Sequence, residues 1–221
     1  MYVVTADQID SRTDRDRAGE LMHALTTQFG PAFVLPPDQT AGDEIQVMIV
    51  DAAATLDAIL LAHRTGHWSI GLGLGAVRTP LPAATRQAAG AAFIAARDAV
   101  TRAKRTDTRF ALTALGAEPE ASEITADALE SNDLAAGELE ALLGLLLLLR
   151  QRRSDEGWDA IDLVQSGLSQ AAAAARLGIS TAAISQRLKT ASWRAEQAAR
   201  PALIKLLTDL HRRTTETDTA A

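Results

Sequence analysis

Apolar positions in the first half of the chain recur with two different periods. Residues 2–6 (Tyr-Val-Val-Thr-Ala) are a short β-branched run that predicts a buried strand ending at Asp7. Ser11 or Thr13 can cap a helix reaching about residue 28, with Ala18, Leu21, Met22, Leu25 and Phe29 on one face and Gly30-Pro31 as its stop. A strand is predicted at 33–35, a turn at 36–43, and a third strand at 44–50. In that third strand Ile45, Val47 and Ile49 point inward and Glu44, Gln46 and Met48 outward. An Ala/Leu-rich helix over 53–65, a strand over 67–77, a loop at 78–82, a helix over 84–104 and a strand over 109–115 follow. The order is βαββαβαβ, and its first six elements are those of a ferredoxin-like α+β unit with an antiparallel sheet.

The second half reads as helix throughout. Leu139, Leu142, Leu143 and an unbroken Leu run at 145–149 make a helix that is apolar all round and needs cover on every side. Trp158, Ile161, Leu163 and Val164 supply the next helix, which ends at Gly167. Residues 169–189 then predict two short helices and a tight turn. Ser169 and Ser180 are their caps, Gly178 is the left-handed residue after the first, and Ala174 marks a close helix crossing. Leu177, Ile179, Ile184 and Leu188 face a small core, leaving Thr181, Ala182, Ser185, Gln186 and Lys189 outward. This is the arrangement of a helix-turn-helix whose second helix enters the DNA major groove. Short polar residues, an amide and cations suit base-edge and phosphate contacts there. The candidate DNA-binding residues are Ser169, Gln170, Ser180, Thr181, Ala182, Ser185, Gln186, Arg187 and Lys189. Beyond Trp193, Pro201 marks a kink or a new helix, and Leu203, Ile204, Leu207 and Leu210 form an apolar stripe.

Charge changes the picture only once it is divided. The net charge of −6 argues against nucleic acid. Residues 116–137, however, carry six acids and no base, whereas 150–213 hold 11 Lys/Arg against six Asp/Glu, a local excess of +5. Cysteine is absent, which excludes disulfides, thiol catalysis and Cys-based zinc sites, and the four histidines are scattered. The start resembles no signal peptide and no run of about 20 apolar residues exists, so a soluble cytoplasmic protein with no membrane partner is expected. The boundaries that follow are an α/β domain at 1–115, an acidic linker at 116–137, a helix-turn-helix domain at 138–213 and a disordered tail at 214–221.

Two further features carry candidate chemistry. Asp7 ends the first strand and Asp43 lies in the turn before the third, so in a ferredoxin-like sheet the two carboxylates reach one end together. There they offer oxygen ligands for magnesium with a phosphate completing the shell; the alternative is that turns and strand ends are simply rich in exposed Asp. Gly71, Gly73 and Gly75 recur with period two inside a strand, which is a bare face for close packing and not the turn of a phosphate loop.

Thr5-Ala-Asp-Gln-Ile-Asp-Ser11, Ala41-Gly-Asp-Glu-Ile-Gln46, Ile70-Gly-Leu-Gly-Leu-Gly75 and Gly90-Ala-Ala-Phe-Ile-Ala-Ala-Arg97 resemble, in order, the motifs of SatD-family proteins. That bacterial group joins an N-terminal α/β domain to a C-terminal helix-turn-helix. More distantly, the same motifs resemble the palm domains of class III nucleotidyl cyclases and GGDEF proteins. The resemblance implies metal ligands at Asp7 and Asp43, with a nucleotide as effector or substrate. It also implies a loss. Ile94 stands where cyclases carry Asn, and Arg97 falls one residue early, so cyclisation lacks its hydrogen-bond donor. The resulting expectation is α+β: a palm-like ferredoxin-like sheet for sensing or dimerisation, plus an all-α helix-turn-helix domain, acting as a homodimeric transcriptional regulator on double-stranded DNA. The competing readings are a metal-dependent nucleotide-binding or cyclase-like enzyme using Asp7 and Asp43, and a helical adaptor that binds protein.

Overall fold

The computed structural model of the protein describes residues 1–40, 42–116 and 126–216. It is mixed α+β, and its contacts divide it into two units, Met1–Gly144 with Ile204–Ala221, and Leu145–Leu203. The first unit contains β1 (Tyr2–Gln8), α1 (Ala18–Phe29), β2 (Phe33–Gln39), β3 (Glu44–Ile49), α2 (Ala52–Arg64), β4 (Trp68–Leu74), α3 (Ala91–Ala103) and β5 (Phe110–Ala114). The sheet order is β2-β3-β1-β4-β5. The first four strands are antiparallel to their neighbours, and β5 runs parallel to β4 after the α3 crossover.

Side-chain alternation gives the sheet two buried faces. Tyr2, Val4 and Ala6 align with Ile49, Val47 and Ile45 on one side and with Leu74, Leu72 and Ile70 on the other, forming one apolar face. Helices α1 and α2 pack against the sheet there. On the other face Val3 and Thr5 stand beside Gly73 and Gly71, and α3 lies directly on those glycines. A Cβ at Gly71 would sit 2.3 Å from the Val100 nitrogen, and one at Gly73 would sit 2.2 Å from the Ala92 oxygen and the Ala96 nitrogen. The glycine stripe therefore serves helix packing. The same helix overturns the outward reading of β3: Gln46 and Met48 are buried, with Met48 in a cluster with Val3, Ala92, Phe93 and Ala96.

The edges of the sheet are closed by side chains. β2 carries Pro36 and Pro37, and the Thr85 hydroxyl donates to the Pro36 carbonyl at 2.7 Å. At the other edge, Glu140 Oε2 accepts from the Leu112 N–H at 2.7 Å and Arg102 Nη2 donates to the Leu112 carbonyl at 2.7 Å. Arg102 and Glu140 also pair with each other at 2.8 Å.

Several boundaries differ from the sequence reading. α1 starts at Ala18 and not at Ser11 or Thr13, because Gln8 reaches into the loop, bonding the Arg15 carbonyl at 2.7 Å and the Arg17 N–H at 3.0 Å. The helix expected from 84 starts at Ala91. Prolines 80 and 82 hold the preceding segment as loop, and the Ala92 N–H bonds Ala76 across the turn at 3.1 Å. Gly90 sits there at φ 134°, open to glycine and strained for other residues. Part of the expected linker is helical, since α4 spans Ala126–Gln151, while 117–125 lie outside the described residues. The expected tail is also partly ordered: α8 (Trp193–Glu216) includes Thr214, which is buried, and 217–221 lie outside the described residues. In α4, Leu139, Leu143, Leu146 and Leu147 are buried but Leu142, Leu145, Leu148 and Leu149 are exposed, so the helix is not covered on every side. Among the described residues no helix is long and apolar enough to cross a membrane.

Candidate functional site

The second unit is built on α5 (Asp155–Gln165), α6 (Gln170–Leu177) and α7 (Thr181–Thr190). Each is short, so each depends on its caps and on burial. The hydroxyls of Ser154, Ser169 and Ser180 accept from the N–H groups of Gly157, Ala172 and Ala183 at 3.3, 3.2 and 3.1 Å. Each cap stabilises its helix by about 1 kcal/mol. Gly178 closes α6 in the left-handed region at φ 66° and ψ 29°, and the next N–H, that of Ile179, returns to the Ala174 carbonyl at 3.0 Å.

The core beneath is small. Ala160, Ile161, Ala173, Ala174, Ile184, Leu188, Ala191 and Trp193 are buried together, with Leu177 and Ile179 packed at its edge. Alanines at the α6–α7 crossing let the two backbones approach. What remains of α7 faces outward: Thr181, Ala182, Ser185, Gln186 and Lys189 are exposed, as are Ser169 and Ser180. Gln170 and Arg187 are half-buried. Gln186 Nε2 donates to the Thr190 hydroxyl at 3.3 Å. The structure thus gathers seven of the nine nominated residues on α7 and its cap, and Ser169 and Gln170 at the start of α6.

Sequence reasoning missed a buried ion cluster in this unit. Glu196 accepts from Arg150 Nη1 at 2.6 Å and from Arg153 Nη2 at 2.5 Å. Both guanidinium carbons lie 4.8 Å from the centroid of the Trp158 ring. Arg153 Nε also donates to the Ala191 carbonyl at 2.8 Å, holding the residue that caps the end of α7. The one available signal was an acid, Glu196, inside an otherwise basic stretch.

In the first unit Asp7 and Asp43 do reach one end of the sheet: Asp7 is opposite Glu44 across β1–β3, and the Gln8 N–H donates to the Asp43 carbonyl at 3.3 Å. Asp7, however, is taken by Lys104, whose Nζ lies 2.7 Å from Oδ2. Among the described residues no group of three or more His, Asp or Glu side chains is placed to hold a metal ion. Ile94 is exposed on α3.

Compared with known proteins, the chain matches no family model, no curated protein and no solved structure.

Proposed function

We propose that this protein is a sequence-specific DNA-binding protein, a dimeric transcriptional regulator working in the cytoplasm. In this reading α6 and α7 are the two arms of a helix-turn-helix, and α7 enters the major groove. The observation that carries it is the division of α7. Ile184 and Leu188 are buried while Thr181, Ala182, Ser185, Gln186 and Lys189 form one exposed polar face on a helix with capped start and fixed end. The basic excess of 150–213 supplies attraction to phosphate.

The sheet unit is proposed to be a ferredoxin-like, palm-related platform for dimerisation. Its first four strands have the order and directions of that topology. The lysine on Asp7 and the exposed Ile94 favour a scaffold over a cyclase. Exposed Leu142, Leu145 and Leu149 recur at helical spacing on α4 and offer apolar surface to a second copy.

Binding of the full chain to duplex DNA, measured against salt, tests the proposal. Lys189→Ala is expected to weaken all sequences and lower the slope of log K against log salt by about one. Gln186→Ala or Ser185→Ala is expected to relax sequence preference by about 1–3 kcal/mol per lost base contact. Absence of salt-dependent duplex binding by the full chain refutes the regulator reading.

A further inference from the structure

Within the second unit, an open cavity of about 330 Å³ lies between the first turn of α5 and the last turn of α7. Three arginines, Arg152, Arg153 and Arg187, line it together with Gln186, Thr190 and a single carboxylate among its lining residues, Glu156. Arg152 is exposed and Arg187 half-buried, so both side chains are free to close on a guest from solvent.

Arg153 is different. Its side chain is 1% exposed, and two of its three nitrogens are committed, Nε to the Ala191 carbonyl and Nη2 to Glu196. Nη1 is buried and has no hydrogen-bond partner among the described residues. A buried guanidinium donor left without an acceptor is costly, and native proteins supply one from a neighbour, a water or a ligand. Arg153 is also one of the residues that line the cavity.

The cavity already favours negative charge. The Glu156 carboxylate folds onto the Ser154 hydroxyl and its own backbone N–H near Arg187, and these hold its pKa below the usual carboxylate range. At the first turn of α5 the helix dipole acts in the same direction.

We propose that this cavity binds a phosphate group, with Arg152 and Arg187 as cationic walls, Gln186 and Thr190 as polar contacts and the buried Arg153 adding positive charge to the lining. Paired guanidiniums suit phosphate because their planar N–H groups match its oxygens two at a time. The phosphate comes either from a DNA backbone, which deepens the proposed function, or from a free phosphorylated small molecule, which does not depend on it. Glu156 competes with the guest for the positive charge of Arg187.

The test is a titration of the full chain with inorganic phosphate at constant ionic strength, following the amide resonances of Gln186 and Thr190, with chloride as the control. Saturable shifts are expected with phosphate and not with chloride. The Arg152→Gln/Arg187→Gln double variant is expected to weaken binding at least tenfold, and Glu156→Gln to tighten it. Arg153 is left intact because it holds Glu196, and far-ultraviolet dichroism confirms that the variants fold. Absence of saturable shifts, equal shifts with chloride, or binding indifferent to the double substitution overturns the proposal. A duplex-DNA arm identifies the source: competition by phosphate assigns the site to the DNA backbone, and unchanged or stronger DNA binding assigns it to a free ligand. Should DNA fail to bind at all while phosphate still saturates, the regulator reading falls and the phosphate site stands.

Discussion

Gly73→Ala is the substitution most directly constrained by the packing of α3 on the sheet. Its added methyl would lie 2.2 Å from the Ala92 oxygen and the Ala96 nitrogen and 2.7 Å from the Ala96 Cα. All three are backbone atoms of one helix, so no side chain can rotate away. Ordinary contact begins near 3.4 Å, and the difference, about 1.2 Å, has to come from moving α3 off the sheet. That movement loosens a helix whose Ala92, Phe93, Ala95, Ala96, Ala99, Val100 and Ala103 are all buried. Overpacking costs about 1–3 kcal/mol where side chains can yield, so the upper end is expected here. The gain from replacing a strand glycine, about 0.5–1 kcal/mol, offsets only part of it. At about 2–4 °C per kcal/mol for a chain of this size, the melting temperature should fall by several degrees. Gly137→Ala is the matched control: it lies mid-helix in α4 with nothing within 4 Å of the new methyl, and it should stabilise by about 0.5–1 kcal/mol. Urea denaturation followed by circular dichroism measures both. A Gly73→Ala protein as stable as wild type refutes the close packing of α3 on β4.

Removing Glu140 should expose the edge of the sheet: Glu140→Ala deletes the acceptor of the Leu112 N–H and the partner of Arg102, costs about 1–3 kcal/mol, and accelerates hydrogen exchange at the Leu112 amide while amides of β1 keep their protection. His211 stacks on Tyr2 with centroids 4.7 Å apart, and burial, followed by the charge of the N-terminal amino group beside it, lowers its pKa from 6.5 to about 4. Between those values the unfolded chain takes up a proton that the folded chain refuses, so this contribution is whole above pH 6.5 and is lost as pH falls toward 4; the slope of denaturation midpoint against pH should flatten in His211→Phe.

Local chemistry made part of this structure legible. The buried β-branched run of β1, the glycine stripe of β4, and the serine caps and left-handed glycine around α6 and α7 are written within a few residues of where they act. What escaped was decided by partners distant in the chain. Met48 and Gln46 read as outward because nothing near them announces that α3 will cover that face. Residues 84–90 have helical composition, yet prolines 80 and 82 and the reach of Ala92 to Ala76 set the start of α3 later. The acidic stretch before 138 looked like a spacer because its helix shows little amphipathic pattern, and Glu140 acquires meaning only when β5 lies beside it. The polar face of α7 was readable from spacing alone, whereas Glu196 meets Arg153 and Arg150 across separations of 43 and 46 residues that no local pattern encodes.

That ion cluster bears on how a helix of 10 residues keeps a fixed orientation. So short a helix is not stable alone, and its direction is set by what it touches. Apolar burial of Ile184 and Leu188 against alanines fixes its distance from α6 but tolerates sliding and rotation, since dispersion contacts have little directionality. Arg153 is directional: its three nitrogens lie in one plane, with Nε on the carbonyl at the end of α7 and Nη2 on Glu196 at the start of α8. Buried ion clusters of this kind add little net stability over an apolar replacement, because desolvation offsets their attraction. Their contribution here is therefore to geometry, and Trp158 stacked against both guanidiniums restricts it further. The same arginine is among the residues that line the arginine-rich cavity. An anion bound there lies beside the residue that holds the end of α7. It shifts the orientation of the exposed face only by as much as it prefers one arrangement of Arg153 over another.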